Sequence, residues 1–362
     1  MATKDEDLEH VIAESLNKGK DGKLAYFIGE EETPTDLTDF VSMGSAIGDL
    51  AISNRPHGGL AVGRLTELTG LEHSGKSLIA AHVLANTQKA GGVAVLIDTE
   101  NAVNEEFFRA VGLDMQKLVY LPLTTVEEIF AAIEKIIESV RKSTKDRLVT
   151  IVVDSVAGAS TEAEMASDYG KDGYATGKAI IISKALRKIT NMIGKQRVML
   201  IFTNQLRQKL NAVAFGDQFT TSGGKSVAFH SSTRLRLSQV SKLKNTAGEI
   251  IGVTVKMQVV KNRLGPPYRV AEFNVYFDRG IDDIGSWMKV MKDKNIVSGT
   301  TSVTYKAISG EEFKFVPKKF KSFLDEHPDL QEEIYLRICD AVIMSYKSGE
   351  NIEVITDESI DE

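Results

Sequence analysis

The segment from Gly70 to Ser77 reads G-x-x-x-x-G-K-S, the spacing of a loop that binds the phosphates of a nucleoside triphosphate. Residues 64–69 before it alternate as in a strand, and residues 77–84 after it are rich in Ala and Leu, which favour a helix. Backbone N–H groups at the helix start would surround the phosphates, Lys76 would reach the β and γ oxygens, and Ser77 would ligate Mg²⁺. A chance match on a glycine-rich turn is the alternative, and the flanking strand and helix disfavour it. The predicted nucleotide-binding loop comprises Gly70, Leu71, Glu72, His73, Ser74, Gly75, Lys76, Ser77 and Leu78.

Polar residues follow three further apolar runs at or near the point where each run ends. Asp154 follows the run at 148–153, a Walker B pattern whose carboxylate can hold Mg²⁺ directly or through water. Glu100 follows the run at 93–97 and is placed to orient a water against the γ-phosphate, while Gln205 follows the run at 198–202 with an amide that can sense that phosphate. Alone, an aspartate after a strand is more often a helix cap or a turn residue. Ligands of open α/β sheets gather at the carboxyl ends of strands, so beside the loop these residues predict an ATPase that uses ATP and Mg²⁺.

The elements that must position these residues follow from the apolar pattern. Nearly unbroken apolar runs fit parallel strands that are covered on both faces. Residues 126–140 and 178–193 have helical periodicity and lie between those runs, and residues 233–240, 253–260 and 268–277 alternate like later, more exposed strands. The pattern predicts an α/β fold, in which a P-loop NTPase core with a mainly parallel twisted sheet carries an N-terminal appendage and a small C-terminal α/β domain.

Four regions are predicted along the chain. Residues 1–38 form an acidic appendage with one amphipathic helix, residues 39–284 the core with its loops, and residues 285–348 a smaller unit whose two final helices separate near Pro328. Residues 349–362 carry six acidic residues and no basic one, a composition typical of disorder. The amphipathic face of the first region is built from Leu8, Val11, Ile12 and Leu16.

Bulk composition favours a cytoplasmic protein. The 362 residues are 42% apolar and 26% charged, which are ordinary globular values, and Cys339 is the only cysteine, which favours a reducing compartment. No signal peptide or membrane-spanning run is recognised. The net charge of −6 argues against a globally basic nucleic-acid binder, yet without the acidic tail the chain is neutral, so local basic surfaces remain open. His57, His73 and His82 lack metal-ligand spacing, and structural roles are favoured for them.

Two polar stretches are unsuited to a compact core. Residues 164–176 are compatible with an ordinary flexible loop. Residues 206–226 combine cations, glycines and aromatic side chains, a composition that suits single-stranded DNA because charge follows the phosphates while apolar side chains stack on bases. The residues that carry this hypothesis in the second stretch are Arg207, Lys209, Phe215, Phe219 and Lys225.

Over nearly its whole length the sequence resembles the RecA recombinases. The resemblance rests on the lead-in segments 41–45 and 58–64, the loop at 70–77, Asp98-Thr99-Glu100, and the Walker B segment 152–156. It extends to Asn204-Gln205-Leu206-Arg207, Phe215-Gly216, residues 220–224 and Val259-Val260-Lys261-Asn262-Arg263. Leu71, His73 and Arg263 depart from the residues commonest in the family.

The resemblance implies further site residues. Asn104 and Phe107 would lie near the adenine and Phe277 would flank it, while Lys261 and Arg263 would reach the ATP of a neighbouring subunit. Phe229 would couple the second loop to the subunit interface. The DNA contacts would comprise Arg187, Arg207, Lys209, Phe215, Gly223, Gly224 and Lys225.

The function implied is a DNA-dependent ATPase that forms helical filaments on single-stranded DNA and catalyses homologous pairing and strand exchange with duplex DNA. Recombination, repair and the SOS response to DNA damage are the implied processes, in the cytoplasm of a bacterium or, for a phage-encoded chain, of its host. The resemblance also implies that residues 1–38 contain a helix and a strand that dock on the next protomer and serve polymerisation, and that the acidic tail is autoinhibitory. A single-strand-binding protein or a loader would be a further partner. Two alternatives remain, a hexameric RecA-fold helicase and a non-catalytic paralogue that regulates a filament.

Overall fold

The computed structural model describes residues 8–19, 23–31, 33, 36–143, 147–167, 174–194, 196–208, 219–221 and 225–345. The chain divides into two compact units, residues 1–38 and residues 39–362. In the first unit, helix α1 (Leu8–Asn17) confirms the predicted amphipathic helix, and its apolar side chains are exposed. The described residues of this unit contain only an isolated bridge between Ile28 and Glu31 in place of the predicted strand, because an extended segment becomes a strand only when another segment pairs with it.

A large mixed sheet forms the centre of the second unit. Its described strands stand in the order β12-β11-β10-β9-β3-β7-β6-β4-β5, with β8 paired to β7, and every neighbouring pair from β9 to β5 is parallel. The strands on the other side of β9 are antiparallel, in agreement with the more exposed alternation of residues 233–277. The strands of this sheet are β3 (Leu65–Gly70), β4 (Val93–Asp98), β5 (Leu118–Pro122), β6 (Val149–Asp154), β7 (Val198–Gln208), β8 (Phe219–Thr221), β9 (Thr233–Lys244), β10 (Ile250–Asn262), β11 (Val270–Tyr276) and β12 (Gly280–Asp282); a separate two-stranded sheet pairs β1 (Phe40–Val41) with β2 (Leu60–Ala61).

Helices cover both faces of the parallel strands. Successive side chains of a strand point to opposite faces, and in β6 Val152 belongs to one apolar core while Ile151 and Val153 belong to the other. Helix α3 packs on the first face, and α5 and α7 pack on the second. The burial of both faces explains why β4 and β6 have almost no polar residues before their carboxyl ends. The helices of the second unit up to α8 are α2 (Ala46–Ser53), α3 (Lys76–Lys89), α4 (Glu105–Ala110), α5 (Val126–Ser143), α6 (Glu162–Met165), α7 (Tyr174–Gly194) and α8 (Lys225–His230), with a 3₁₀ turn at Met115–Lys117.

The C-terminal part contains a small antiparallel sheet and three helices. The predicted pair of final helices separated near Pro328 is confirmed by α10 and α11. The predicted boundary between residues 284 and 285 falls within α9, and the division of residues 39–362 into a core and a C-terminal domain stays a prediction. These elements are α9 (Asp283–Asp293), β13 (Val297–Ser298), β14 (Val303–Lys306), β15 (Glu312–Phe315), α10 (Phe320–Glu326) and α11 (Asp329–Val342), with a 3₁₀ turn at Pro317–Lys319.

The two stretches assigned to loops contain described helical and strand residues. Residues 164–176 include the end of α6 and the start of α7, and residues 168–173 lie outside the described residues. In the second stretch β7 continues to Gln208 and pairs antiparallel with β8, and Lys225 begins α8. This pairing satisfies backbone groups that an isolated extended loop would leave to water.

Helix α2, which the sequence analysis did not predict, contains a buried carboxylate whose protonation is expected to control stability. Asp49 accepts a hydrogen bond from Met43 N at 2.9 Å, and burial raises its pKa to about 8. The native carboxyl therefore keeps its proton to about pH 8, whereas the unfolded chain loses it near pH ~4, so stability falls as pH rises through that window. Asp49→Asn is expected to remove a fall on the order of 1 kcal/mol per pH unit, measured by urea unfolding at several pH values in that window. Asp278→Asn, at an exposed position beside Arg279, is the control and should leave the pH dependence unchanged.

Candidate functional site

The loop between β3 and α3 has the geometry of a phosphate-binding site. Gly75, the N-cap of α3, has φ 92°, a left-handed conformation that favours glycine, and the helix start directs its backbone N–H groups into the loop. Gly70 admits no side chain, because a Cβ there would lie 2.2 Å from Ser74 Oγ and 2.7 Å from Leu237 O. The closely packed loop therefore requires glycine at both ends of the G-x-x-x-x-G spacing.

Lys76 lies inside this loop with its ammonium group turned back on the backbone. Its Nζ donates to Leu71 O at 2.7 Å and to Gly70 O at 3.2 Å. Burial lowers the pKa of Lys76, and the nearby carboxylates of Asp154 and Glu100 oppose that shift. An anion in the loop would replace the carbonyl contacts with a charged partner, which is the chemistry that a nucleotide phosphate supplies.

Asp154 and Ser77 present two oxygen ligands at one place. Thr203 Oγ1 donates to Asp154 Oδ1 at 2.5 Å, and the Ser77 hydroxyl also hydrogen-bonds to the carboxylate. Burial raises the pKa of Asp154, and these two hydroxyls oppose the rise because they favour the charged form. A carboxylate beside a hydroxyl at the start of a phosphate-binding helix is a donor set that fits Mg²⁺, which prefers oxygen ligands.

Glu100 is held by groups that the sequence analysis did not identify. Ser155 Oγ donates to Glu100 Oε1 at 2.6 Å. Asp98 accepts hydrogen bonds from Glu100 N at 3.0 Å and Ala102 N at 3.1 Å, so its carboxylate fixes the turn that presents Glu100. Tyr120 on β5 donates to the same carboxylate at 3.1 Å. The local signal for Asp98 was its position two residues before Glu100, where aspartate commonly caps its own turn.

Gln205 completes the set at the carboxyl edge of the parallel strands. It stands opposite Gly70 in the register of β7 with β3 and is half-buried. Asp98 and Asp154 are likewise paired in the register of β4 with β6. The structure therefore brings the loop, the segment bearing Glu100, Asp154 and Gln205 together at one edge of the sheet, as the strand pattern predicted.

A cavity of about 640 Å³ opens beside the loop. It is lined by residues 73–78 and, from the far side, by Phe277 together with residues of β9, β10 and β11. Phe277 is half-exposed and lines the cavity, and its place beside the adenine stays a prediction. Asn104 and Phe107 are not among the described residues that line this cavity; Asn104 instead caps α4 by accepting from Phe107 N at 3.0 Å. Their assignment to the adenine stays a prediction.

Lys261 and Arg263 lie at the far end of β10. Lys261 Nζ donates to Ala228 O at 2.9 Å and Phe229 O at 2.8 Å, at the C-terminal end of α8. Burial lowers the pKa of His230, and the nearby cations Arg187, Lys261 and Arg263 lower it further. Arg187 and Arg263 are exposed and Lys261 is half-buried, and these three cations near His230 are called the basic surface. Neither Lys261 nor Arg263 is among the described residues that line the cavity beside the loop of the same chain.

The predicted DNA-contact residues are only partly within the described structure. Arg187 on α7, Arg207 near the end of β7 and Lys225 at the start of α8 are exposed. Lys209, Phe215, Gly223 and Gly224 lie outside the described residues. Phe229 is exposed, in keeping with its expected place at an interface. Across the described ranges, the chain has no helix with the length and apolar character needed to cross a membrane.

Comparison with known proteins shows similarity along most of the chain. The family model described as the RecA N-terminal domain matches residues 11–282. The relative named Protein RecA from Nostoc sp. (strain PCC 7120 / SAG 25.82 / UTEX 2576) is 34% identical over 327 residues, which cover 89% of this chain and 87% of the relative. Proteins of the same name from Lactobacillus delbrueckii subsp. bulgaricus and Thermosynechococcus vestitus are each 34% identical, over 92% and 89% of this chain and 86% of the relative in both cases.

Proposed function

The chain belongs to the RecA family, and from that membership we propose how its residues divide the work of a DNA-dependent ATPase that acts in homologous recombination. The processes that this family serves are recombination, repair and the SOS response. A hexameric helicase or a non-catalytic paralogue is not favoured, because the match to recombinases extends over about nine-tenths of the chain.

The observation that carries the proposal is the convergence of four strand ends at one edge of the sheet. Lys76, Glu100, Asp154 and Gln205 come from four separate segments and meet at the carboxyl edge of the parallel strands, near the start of α3. Lys76 and the helix start would bind the ATP phosphates, and Ser77 and Asp154 would hold Mg²⁺, which would neutralise phosphate charge. Glu100 would orient the attacking water, and Gln205 would respond to the γ-phosphate.

We place the ATP between protomers of a helical filament. Phe277 would cover the adenine from within the chain, and Lys261 and Arg263 would act on the γ-phosphate bound by the neighbour. Gln205 lies three residues from the end of β7, so its response would be passed along the strand toward the residues proposed to contact DNA. Base pairing between DNA strands, rather than protein side chains, would then read sequence.

Strand exchange is the direct test of this function. The protein, ATP, Mg²⁺ and single-stranded DNA are incubated with a homologous or a non-homologous duplex, and transfer of a labelled strand is followed. We expect transfer with the homologous duplex only, and with ATP but not ADP. Unwinding of both duplexes without transfer would support a helicase, and absence of DNA-stimulated turnover would support a non-catalytic paralogue.

The acidic tail, residues 349–362, lies outside the described residues and is proposed to compete with duplex DNA. Its six carboxylates would be tethered near exposed lysines of the C-terminal part. Truncation after Ser348 is expected to strengthen duplex binding about 10-fold at low salt, with a smaller gain at high salt because screening weakens both interactions. Fluorescence anisotropy with a labelled duplex measures the effect. The lysines in question are Lys314, Lys318, Lys319 and Lys321.

A full-length variant with all six tail acids changed to amides is the matched control for truncation. If charge is the cause, it should behave like the truncated protein. Equal duplex affinity of wild type and both variants at low salt would show that the tail does not compete with DNA.

A further inference from the structure

Strand β3, which leads into the phosphate loop, carries a carboxylate in the interior of the main sheet. Glu67 is fully buried. Asn204 Nδ2 donates to Glu67 Oε1 at 3.0 Å, and Arg234 Nε donates to Glu67 Oε2 at 2.5 Å. Since β3 lies between β7 and β9, one side chain bridges three adjacent strands with one carboxylate oxygen on each side.

Such a charge is costly to bury unless both oxygens have partners. Replacing a buried ion pair by apolar residues is often neutral or stabilising, so a buried pair is weak evidence for a role in stability alone. The buried carboxylate can instead fix the relative position of the strands beside it, because each of its oxygens accepts a hydrogen bond from one fixed direction. The two directions here lead to two groups of residues with proposed roles in the ATPase cycle.

On one side, the carboxylate holds the strand that senses phosphate. Asn204 is fully buried and immediately precedes Gln205, which stands opposite Gly70 of the phosphate loop. A shift of β7 that follows contact between Gln205 and a γ-phosphate would move the Asn204 amide. The hydrogen bond from Asn204 to Glu67 Oε1 would pass this shift to Glu67.

On the other side, the carboxylate holds the strand that positions the basic surface. Arg234 pairs in register with Lys261, and Arg263 N donates to Ser232 O at 2.9 Å. Burial lowers the pKa of Lys261 and the cations Arg263 and Arg234 lower it further, while Glu67 opposes that shift, so its charge acts at Lys261. Lys261 in turn holds the C-terminal end of α8.

We propose that Glu67 is a positioning residue that couples the phosphate sensor Gln205 to the interfacial cations Lys261 and Arg263. Through Glu67, the nucleotide bound by one protomer changes the position of the two cations that this protomer presents to its neighbour. It also changes the position of α8, which begins at the proposed DNA contact Lys225. The inference rests on the proposed function, since it takes the roles of these three residues from it.

Glu67→Gln separates the two sides of the bridge. The new amide oxygen can still accept from Asn204, whereas its NH₂ group would face the Arg234 donor, so the change breaks the contact to β9 and keeps the contact to β7. Asn204→Leu does the reverse, because it removes the amide and leaves the ion pair. Glu272→Gln is the matched control, since it removes an ion pair with Lys289 from β11 of the same sheet.

The measurement is the ratio of single-stranded DNA affinity with a non-hydrolysable ATP analogue to that with ADP. We expect Glu67→Gln and Asn204→Leu each to reduce the wild-type ratio at least 10-fold, while binding of a fluorescent ATP by dilute protomers changes less than about 2-fold. The control should keep the ratio. Thermal unfolding identifies a variant that fails to fold, in which case the other variant decides.

Equal loss of affinity with both nucleotides would leave the ratio unchanged and would overturn the coupling, since a merely structural bridge weakens both states alike. A wild-type ratio near one would instead contradict the proposed function itself. The two failures are therefore distinct in the same data set.

Discussion

Changing Lys261 and Arg263 together to alanine is expected to lower DNA-stimulated ATP turnover by on the order of 10³-fold, as for arginine fingers supplied in trans. The reason is that Lys261 lies at the end of β10, Arg263 directly follows the strand, and neither is among the described residues lining the cavity of their own chain. ATP binding by dilute protomers should change little, because Lys76 and the loop are intact. Turnover is measured with saturating single-stranded DNA, and binding with a fluorescent nucleotide.

Mixing with Lys76→Ala protomers tests the placement across the interface. In a mixed filament, one type of interface joins an intact phosphate loop to intact cations, so part of the activity should return. A mechanism within one protomer gives no recovery at any mixing ratio, since each protomer would lack a required group. That outcome would remove Lys261 and Arg263 from the proposed active site.

The double variant also needs a control for charge and for folding. Lys244→Ala with Lys256→Ala removes the same charge from exposed positions on β9 and β10 and should keep turnover within about 2-fold. Lys261 holds two carbonyls at the end of α8, so Lys261→Met, which retains the aliphatic stem, is compared with Lys261→Ala. Similar losses in both would assign the effect to the ammonium group rather than to the aliphatic stem.

The sequence predicted the parallel centre of the fold because strands that are buried on both faces have nearly unbroken apolar runs. The runs at 93–97 and 148–153 became β4 and β6 with almost the expected bounds. The run at 198–202 became β7, which begins as expected but continues to Gln208. Strand β5 was missed for the opposite reason: it is the edge strand, half-exposed, and ends at Pro122, so its residues show neither a full apolar run nor clean alternation.

Long-range polar contacts were also beyond prediction. The alternation in 64–69 predicted a strand but not the burial of its polar residues. Every residue of β3 is buried, and Glu67 is satisfied by Asn204 and Arg234, more than one hundred residues away in the chain. Ser155, Thr203 and Tyr120 bear on the site only after the strands align. Such partners cannot be predicted from the spacing of nearby residues, because they become neighbours only when distant strands pair in the sheet.

The contrast between Glu100→Gln and Lys76→Ala tests the two chemical roles at the centre of the site. Glutamine keeps an oxygen that can accept from Ser155 Oγ and a backbone N–H that can donate to Asp98, so the turn should be preserved while the negative charge is lost. If Glu100 activates water, turnover should fall on the order of 10²- to 10⁴-fold with ATP and DNA binding retained. Lys76→Ala should instead weaken ATP binding and ATP-dependent assembly, because the phosphate charge loses its partner.

Two measurements on the same preparations separate these outcomes. Nucleotide affinity and single-turnover hydrolysis on single-stranded DNA are compared for wild type, both variants and Ser155→Ala, which keeps the carboxylate but removes the hydroxyl that holds it. An intermediate loss of rate in Ser155→Ala, with unchanged affinity, is expected because the carboxylate remains but is less well oriented. Wild-type turnover in Glu100→Gln would contradict the assignment of Glu100. In that case the water would have to be oriented by another group at this edge of the sheet, and Asp154 and Gln205 would be the residues to change next.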